Sequence, residues 1–161
     1  FTLALADLLG PAGRIVALDR DAAALDRMRA AVARRFPDVA VTTITADFRD
    51  ELPVGPFDGV LAANSLHFDL DPSAVLRRAS SRLVAGGRAV VVEYDADRGN
   101  PWVPHPFSAA TFPRIAAAAG LEAPREIARV PSRFLGAIYA AVADTPGPLL
   151  HSAPHGDDRE E

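Results

Sequence analysis

Apolar residues recur at Leu3, Leu5, Leu8 and Leu9, a spacing that suits a packed helix over 2–9, and the "GPAG" of 10–13 ends it. "RIVALD" then reads as a buried strand that closes on an acid. Asp21 is placed to cap the next helix by reaching the amide of Ala24, and Leu25, Met28, Val32 and Phe36 return at helical intervals until Pro37 stops the run. "VAVTTIT" (39–45) is the next strand, followed by the loop "ADFRDELPVGP" and a third strand, "FDGVLAAN", ending at Asn64. Asp71-Pro72 supplies a cap and a first-turn proline for a helix whose buried face is read as Val75, Leu76, Ala79 and Leu83, closed by Gly86 and Gly87. "RAVVVEY" is the most apolar strand, expected to be buried on both faces as parallel strands are.

A proline-rich loop, "DADRGNPWVPHPFS", leads to a helix that ends near Ala119 and Gly120, with Pro113 in its first turn. "APREIARV" and "SRFLGAIYAAVA" lie close enough to pair as an antiparallel hairpin across Pro131-Ser132. Strands alternating with helices predict an α/β fold, doubly wound around a mainly parallel sheet with this hairpin at its C-terminal side. One domain is expected over 1–143, and the composition of 144–161 predicts a disordered tail. Such sheets bind ligands outside the carboxyl ends of their strands, so the residues just after each strand carry the candidate chemistry.

Composition narrows that chemistry. All 17 basic residues among the 161 are arginine, and there is no cysteine. Without lysine there is no P-loop Gly-Lys-Ser/Thr, no Schiff-base amine and no Tyr-x-x-x-Lys dehydrogenase, and without cysteine there is no thiol nucleophile or thiolate metal site. The net charge of −4 argues against a general nucleic-acid binder. Arg27, Arg29, Arg34 and Arg35 cluster opposite an apolar stripe and read as a solvated helix face. No apolar run approaches the roughly 18 residues of a membrane span. The absence of cysteine fits a cytoplasmic location.

Asp19 ends its strand with a carboxylate able to accept from both hydroxyls of a ribose, or else caps the following helix, a task for which Asp21 is better spaced. Asp47-Phe48 reads either as an acceptor for an adenine amine beside a ring that packs on the base, or as a turn aspartate next to a core phenylalanine. His67, in "NSLHFDLD", is the candidate proton acceptor or substrate contact, with a structural histidine as the alternative. Glu93, Tyr94 and Asp95 end the most buried strand, where carboxylates need a pocket or arginine partners. Trp102 and His105 sit among prolines on a loop long enough to wall a site, unless Trp102 plugs the core. His151 and His155 are four apart, but Pro154 opposes the helix that would turn them into a metal pair.

The order and spacing of "VALDRD", "ADFRDELP", "FDGVLAANSLHF", "LVAGGRAVVVEYD" and "PSRFLGAIYAAV" resemble the class I S-adenosylmethionine-dependent methyltransferases over almost all of 1–143. The resemblance implies S-adenosyl-L-methionine as cofactor, held by Asp19, Arg20, Asp47, Phe48 and Asn64, and a small-molecule methyl acceptor near His67, Tyr94, Trp102 and His105, with neither nucleic acid nor membrane as partner. It also implies a further strand and glycine-rich loop ahead of Phe1, roughly ten or more residues. The strands ending at Asp19 and Asn64 are then expected to face a gap, and the chain is read as an N-terminally truncated domain. An NAD(P)-binding oxidoreductase domain also places an acid after its second strand, but it has no need of the terminal antiparallel hairpin. A noncatalytic fragment is the other alternative.

Overall fold

The two aspartates expected to start helices do so. Asp21 accepts from the Ala24 amide at 3.0 Å and Asp71 from the Ala74 amide at 3.0 Å, each cap contributing about 1 kcal/mol. In the computed structural model, which describes residues 1–50 and 52–148, the elements run α1 (Thr2–Leu9), β1 (Arg14–Asp19), α2 (Ala22–Arg35), β2 (Ala40–Thr45), β3 (Phe57–Ala63), α3 (Pro72–Ser80), β4 (Leu83–Tyr94), α4 (Phe112–Ala118), β5 (Glu122–Pro131) and β6 (Ala137–Asp144). Gly10, at φ 64°, stops α1 in a conformation that favours glycine.

The strands form two sheets. β1 and β2 are a parallel pair with Asp19 opposite Thr45. The other sheet has the order β3-β4-β6-β5. Its β3 and β4 are parallel, and the β5–β6 hairpin adds antiparallel to β4 as expected, with Glu93 opposite Tyr139. Among the described residues β1 and β3 share no ladder. Each sheet has its own core. Ala6, Ile15 and Val32 anchor the smaller one, and Val75, Leu76, Phe112, Ile115, Val91 and Tyr139 belong to the larger. Phe48 packs from the β2 side onto the larger core, and the Arg78 guanidinium on α3 donates to the carbonyls of Phe48, Arg49 and Asp50.

Three expectations need correction. Leu83 belongs to β4, opposite Phe57, and Gly86 and Gly87 lie inside that strand rather than closing α3, which ends at Ser80. The Cβ of any other residue at 87 would stand 2.8 Å from the Val84 carbonyl oxygen, so the strand turns too tightly there for a side chain. β4 is fully buried on one face only. Gly87, Ala89, Val91 and Glu93 are covered, whereas Val90, Val92 and Tyr94 are half-buried, because Val75, Leu76, Phe112 and Ile115 of α3 and α4 pack on the side of Ala89 and Val91. Finally, β6 pairs past Ala143 to Asp144, and the Thr145 amide donates to the Gly87 carbonyl at 2.8 Å. The remainder of the expected tail, 149–161, lies outside the described residues.

Candidate functional site

The carboxyl ends of β1, β2 and β3 converge on a cavity of about 370 Å³ that runs between the two sheets. Asp19, Arg20, Asp47, Phe48 and Asn64 all line it, so five residues singled out from three separate strand ends come together. Phe1, Leu18, Leu61 and Phe68 add apolar surface.

Asp19 is exposed, and its Oδ1 accepts from the Asp21 amide at 2.9 Å. Oδ2 has no partner among the described residues, and the capping task falls to Asp21 instead. Asp47 is held differently: its Oδ1 accepts from the amide and Nε of Arg49, both at 2.9 Å, and its Oδ2 from Arg49 Nη2 at 2.5 Å. The Arg49 side chain, followed by its backbone amide, holds the Asp47 carboxyl well below the usual carboxylate range. A carboxylate has about four lone-pair positions, so Asp47 keeps acceptor capacity beside this fork. Asn64 turns the chain at φ 49°, a left-handed conformation that asparagine tolerates better than most residues. Its amide donates to the Val92 carbonyl at 2.8 Å, while its side-chain Oδ1 is buried without a partner.

Behind Asn64 stands a buried carboxylate. Glu93 is 0% exposed. Its Oε1 accepts from the amides of Ser65 at 3.0 Å, Leu66 at 2.9 Å and, more weakly, His67 at 3.4 Å. Its Oε2 lies 2.6 Å from His67 Nδ1, which donates to it. The last residues of β4 thereby fix the loop that follows β3. Asp95, only partly buried, pairs with Arg129 and accepts from the Ala109 amide at 2.9 Å. Asp97 accepts from the Ser108 amide at 2.9 Å and from the Thr111 hydroxyl at 3.0 Å, and these bonds hold its carboxyl below the usual range.

The expected substrate contacts divide. His67 is only 2% exposed and is absent from the cavity wall, packed instead between the rings of Phe68 and Tyr94. It holds the wall from behind rather than facing a ligand. Tyr94 and Trp102 gather around Phe134, a residue the sequence did not single out. Trp102 is 72% exposed, so it does not plug the core. His105 does not join them, lining a separate cavity of about 540 Å³ with Asp97 and Arg114. Arg49, Glu93 as a wall support and Phe134 are thus additions made by the structure. Arg49 alone carried a local signal, standing two residues after Asp47. Among the described residues no group of His, Cys, Asp or Glu is placed to hold a metal, and no helix is long and apolar enough to cross a membrane. His151 and His155 lie outside the described residues.

A family model described as a methyltransferase domain matches residues 1–87, more than half of the chain. The chain belongs to the methyltransferase domain family. This methyltransferase domain is similar in fold to the S-adenosylmethionine-dependent methyltransferase SibL in its apo form, at 24% identity and a TM-score of 0.67, over 90% of this chain and 47% of SibL. It is also similar to the N-methyltransferase NodS from Bradyrhizobium japonicum in complex with S-adenosyl-L-homocysteine, at 18% identity and a TM-score of 0.62, over 83% of this chain and 67% of NodS. A third likeness is to the Burkholderia thailandensis 1,6-didemethyltoxoflavin-N1-methyltransferase, at 18% identity and a TM-score of 0.59, over 84% of this chain and 72% of that one. The chain spans about half the length of SibL and of the matched Bordetella parapertussis and Nostoc punctiforme structures. No curated protein sequence matches it. The family match does not favour the nicotinamide-binding alternative.

Proposed function

We propose that this methyltransferase domain binds the adenosyl cofactor S-adenosyl-L-methionine in the cavity between its sheets and serves methyl transfer to a small-molecule acceptor. The observation that carries the reading is the convergence of a free carboxylate oxygen on Asp19, the Phe48 ring and the chain turn at Asn64 on one cavity. These acceptors and surfaces fit a nucleoside carrying an amine. Asp19 would accept from ribose hydroxyls, Phe48 would pack on the base, and Asp47, kept ionised by Arg49, would accept from a base amine.

When bound, the cofactor would supply an electrophilic methyl group on a positively charged sulfur, a leaving group for displacement by a nucleophile of the acceptor. The chain's own contribution is alignment and exclusion of water. Glu93 and His67 keep residues 65–67 in place, and with them the wall formed by Asn64, Ser65 and Phe68. His67 is therefore assigned to positioning, in place of the proton-acceptor role expected from sequence.

Calorimetric titration with S-adenosyl-L-homocysteine tests the reading. Wild-type chain is expected to bind it, and Asp19→Ala to weaken binding by about tenfold or more, roughly 1.4 kcal/mol. A wild-type chain that binds none would establish the noncatalytic alternative. An unchanged dissociation constant in D19A would remove the ribose assignment.

A further inference from the structure

The rings of Tyr94, Phe134 and Trp102 come from three separate segments: the end of β4, the β5–β6 turn and the loop between β4 and α4. Tyr94 and Phe134 meet edge to face at 5.5 Å between centroids, and Phe134 and Trp102 at 6.5 Å. On its inner side the row continues through His67, 6.1 Å from Tyr94, to Phe68, which lines the cofactor cavity. The three outer rings thus stand beside the proposed methyl-transfer cavity, with the buried His67 ring packed between Tyr94 and Phe68.

The outer members of the row are held in the open. Trp102 is 72% and Phe134 40% exposed, although burial would favour both. Neither hangs on a slack loop. Asn100 Oδ1 accepts from the amides of Trp102 at 2.9 Å and Val103 at 3.0 Å, and Gly99 passes so close to Pro104 that a Cβ there would collide with its carbonyl. Ser132 Oγ accepts from the Phe134 amide at 3.1 Å and donates to its carbonyl at 2.6 Å, while Leu135 and Gly136 turn the chain at φ 56° and 75°. The carboxylates on either side of Tyr94 in the chain already have partners, Glu93 in His67 and Asp95 in Arg129, so they offer no free charge to a cationic ligand. Pre-set rings without a free acid beside them favour a flat, uncharged aromatic face.

We infer that the methyl acceptor is a planar aromatic molecule seated against Tyr94, Phe134 and Trp102. The inference rests on the methyltransferase reading, since only that reading makes the occupant an acceptor. Phe134 and Trp102 then determine specificity without touching the transferred group.

Trp102 is the single tryptophan, so its emission reports on this wall directly. The full chain is titrated with β-naphthol and, separately, with decahydro-β-naphthol, which keeps the skeleton and hydroxyl but has no π face and is followed by calorimetry. β-Naphthol is expected to quench Trp102 saturably, and its saturated counterpart to bind about tenfold more weakly. Phe134→Ala is expected to weaken naphthol binding by about the same factor while leaving S-adenosyl-L-homocysteine affinity unchanged, and Phe134→Leu, which preserves bulk, to weaken it as well. Equal binding of the two alcohols, or naphthol binding indifferent to both variants, would overturn the inference. So would a blue shift of Trp102 emission that follows dimer formation by light scattering, which would make the wall a contact between copies. Loss of S-adenosyl-L-homocysteine binding with naphthol binding intact overturns the underlying methyltransferase reading, whereas the reverse pattern overturns only the aromatic acceptor.

Discussion

Replacing Glu93 with alanine is the most exacting check on how the site is built. The substitution removes the acceptor of two good backbone hydrogen bonds, at 3.0 and 2.9 Å, of a weaker one at 3.4 Å and of the 2.6 Å bond from His67 Nδ1, all at a side chain with no exposure. Each buried donor left unsatisfied costs about 1 to 3 kcal/mol, and losing a whole buried hydrogen-bond network at once falls among the larger single-substitution effects, about 3 to 5 kcal/mol in all. Those figures describe the same loss and are not added. The expected destabilisation of E93A is therefore about 3 to 5 kcal/mol, a large part of a typical domain's total stability of about 5 to 15 kcal/mol. E93Q should behave differently. Its carbonyl oxygen still accepts from the loop amides, and its amide nitrogen can donate to His67 Nδ1 once the ring proton moves to Nε2, so about 1 to 2 kcal/mol is lost. Equilibrium urea denaturation measures both differences. Because the pair is buried, the E93A loss should hardly change on raising the salt to about 0.5 M. An E93A chain within about 1 kcal/mol of wild type, or an E93Q chain as unstable as E93A, would refute the claim that this carboxylate holds the wall.

Two further substitutions read other parts of the structure. Asp47 is held ionised below the usual range, so its ion pair with Arg49 stabilises the fold fully above the unfolded-state value near 4, and that contribution fades as pH falls from there toward the lower folded value. The stability difference between wild type and Asp47→Asn should be constant from about pH 7 to about pH 5 and shrink below about pH 4; a difference that vanished by about pH 6 would contradict the assignment. Tyr139 is fully buried, its phenol pushed above its ordinary range chiefly by that burial, and its hydroxyl donates to the Phe107 carbonyl at 3.1 Å. Tyr139→Phe should cost about 1 kcal/mol, seen as a fall in Tm of about 2 to 4 °C by thermal denaturation, and no change would mean that the bond contributes nothing.

What could be read from the sequence was local or periodic. The caps at Asp21 and Asp71, the strand end at Asp19 and the terminal hairpin follow from short-range spacing, and the structure has them, while the strand expected to end at Asn64 stops one residue earlier, at Ala63. Leu83 went to the wrong element because one apolar residue after Ala79 continues a helical stripe as well as it begins a strand; only pairing with Phe57 decides between them. Side-chain partners were harder to see. Nothing in "VVVEY" says that Glu93 turns toward the amides of 65–67, which lie more than 25 residues away. Phe134 carries no signal of its own, since it matters only through Tyr94 and Trp102, which the fold brings beside it. His67 was recognisable as a special residue, but its partner, and hence its orientation, was not.

The interruption between β1 and β3 bears on how the two halves communicate. Without a shared ladder, the hydrogen bonds that cross between residues 1–50 and 57–148 among the described residues come from the Arg78 guanidinium, at 2.6 to 3.5 Å, reinforced by the Phe48 ring on the larger core. The two sheets are therefore joined at one side of the cleft, much as covers are joined at a spine. A ligand reaching from Asp19 to Asn64 would fasten the open side as well. At a concentration about a hundredfold above its dissociation constant, it would stabilise the whole by about 2.7 kcal/mol and make two cores melt as one.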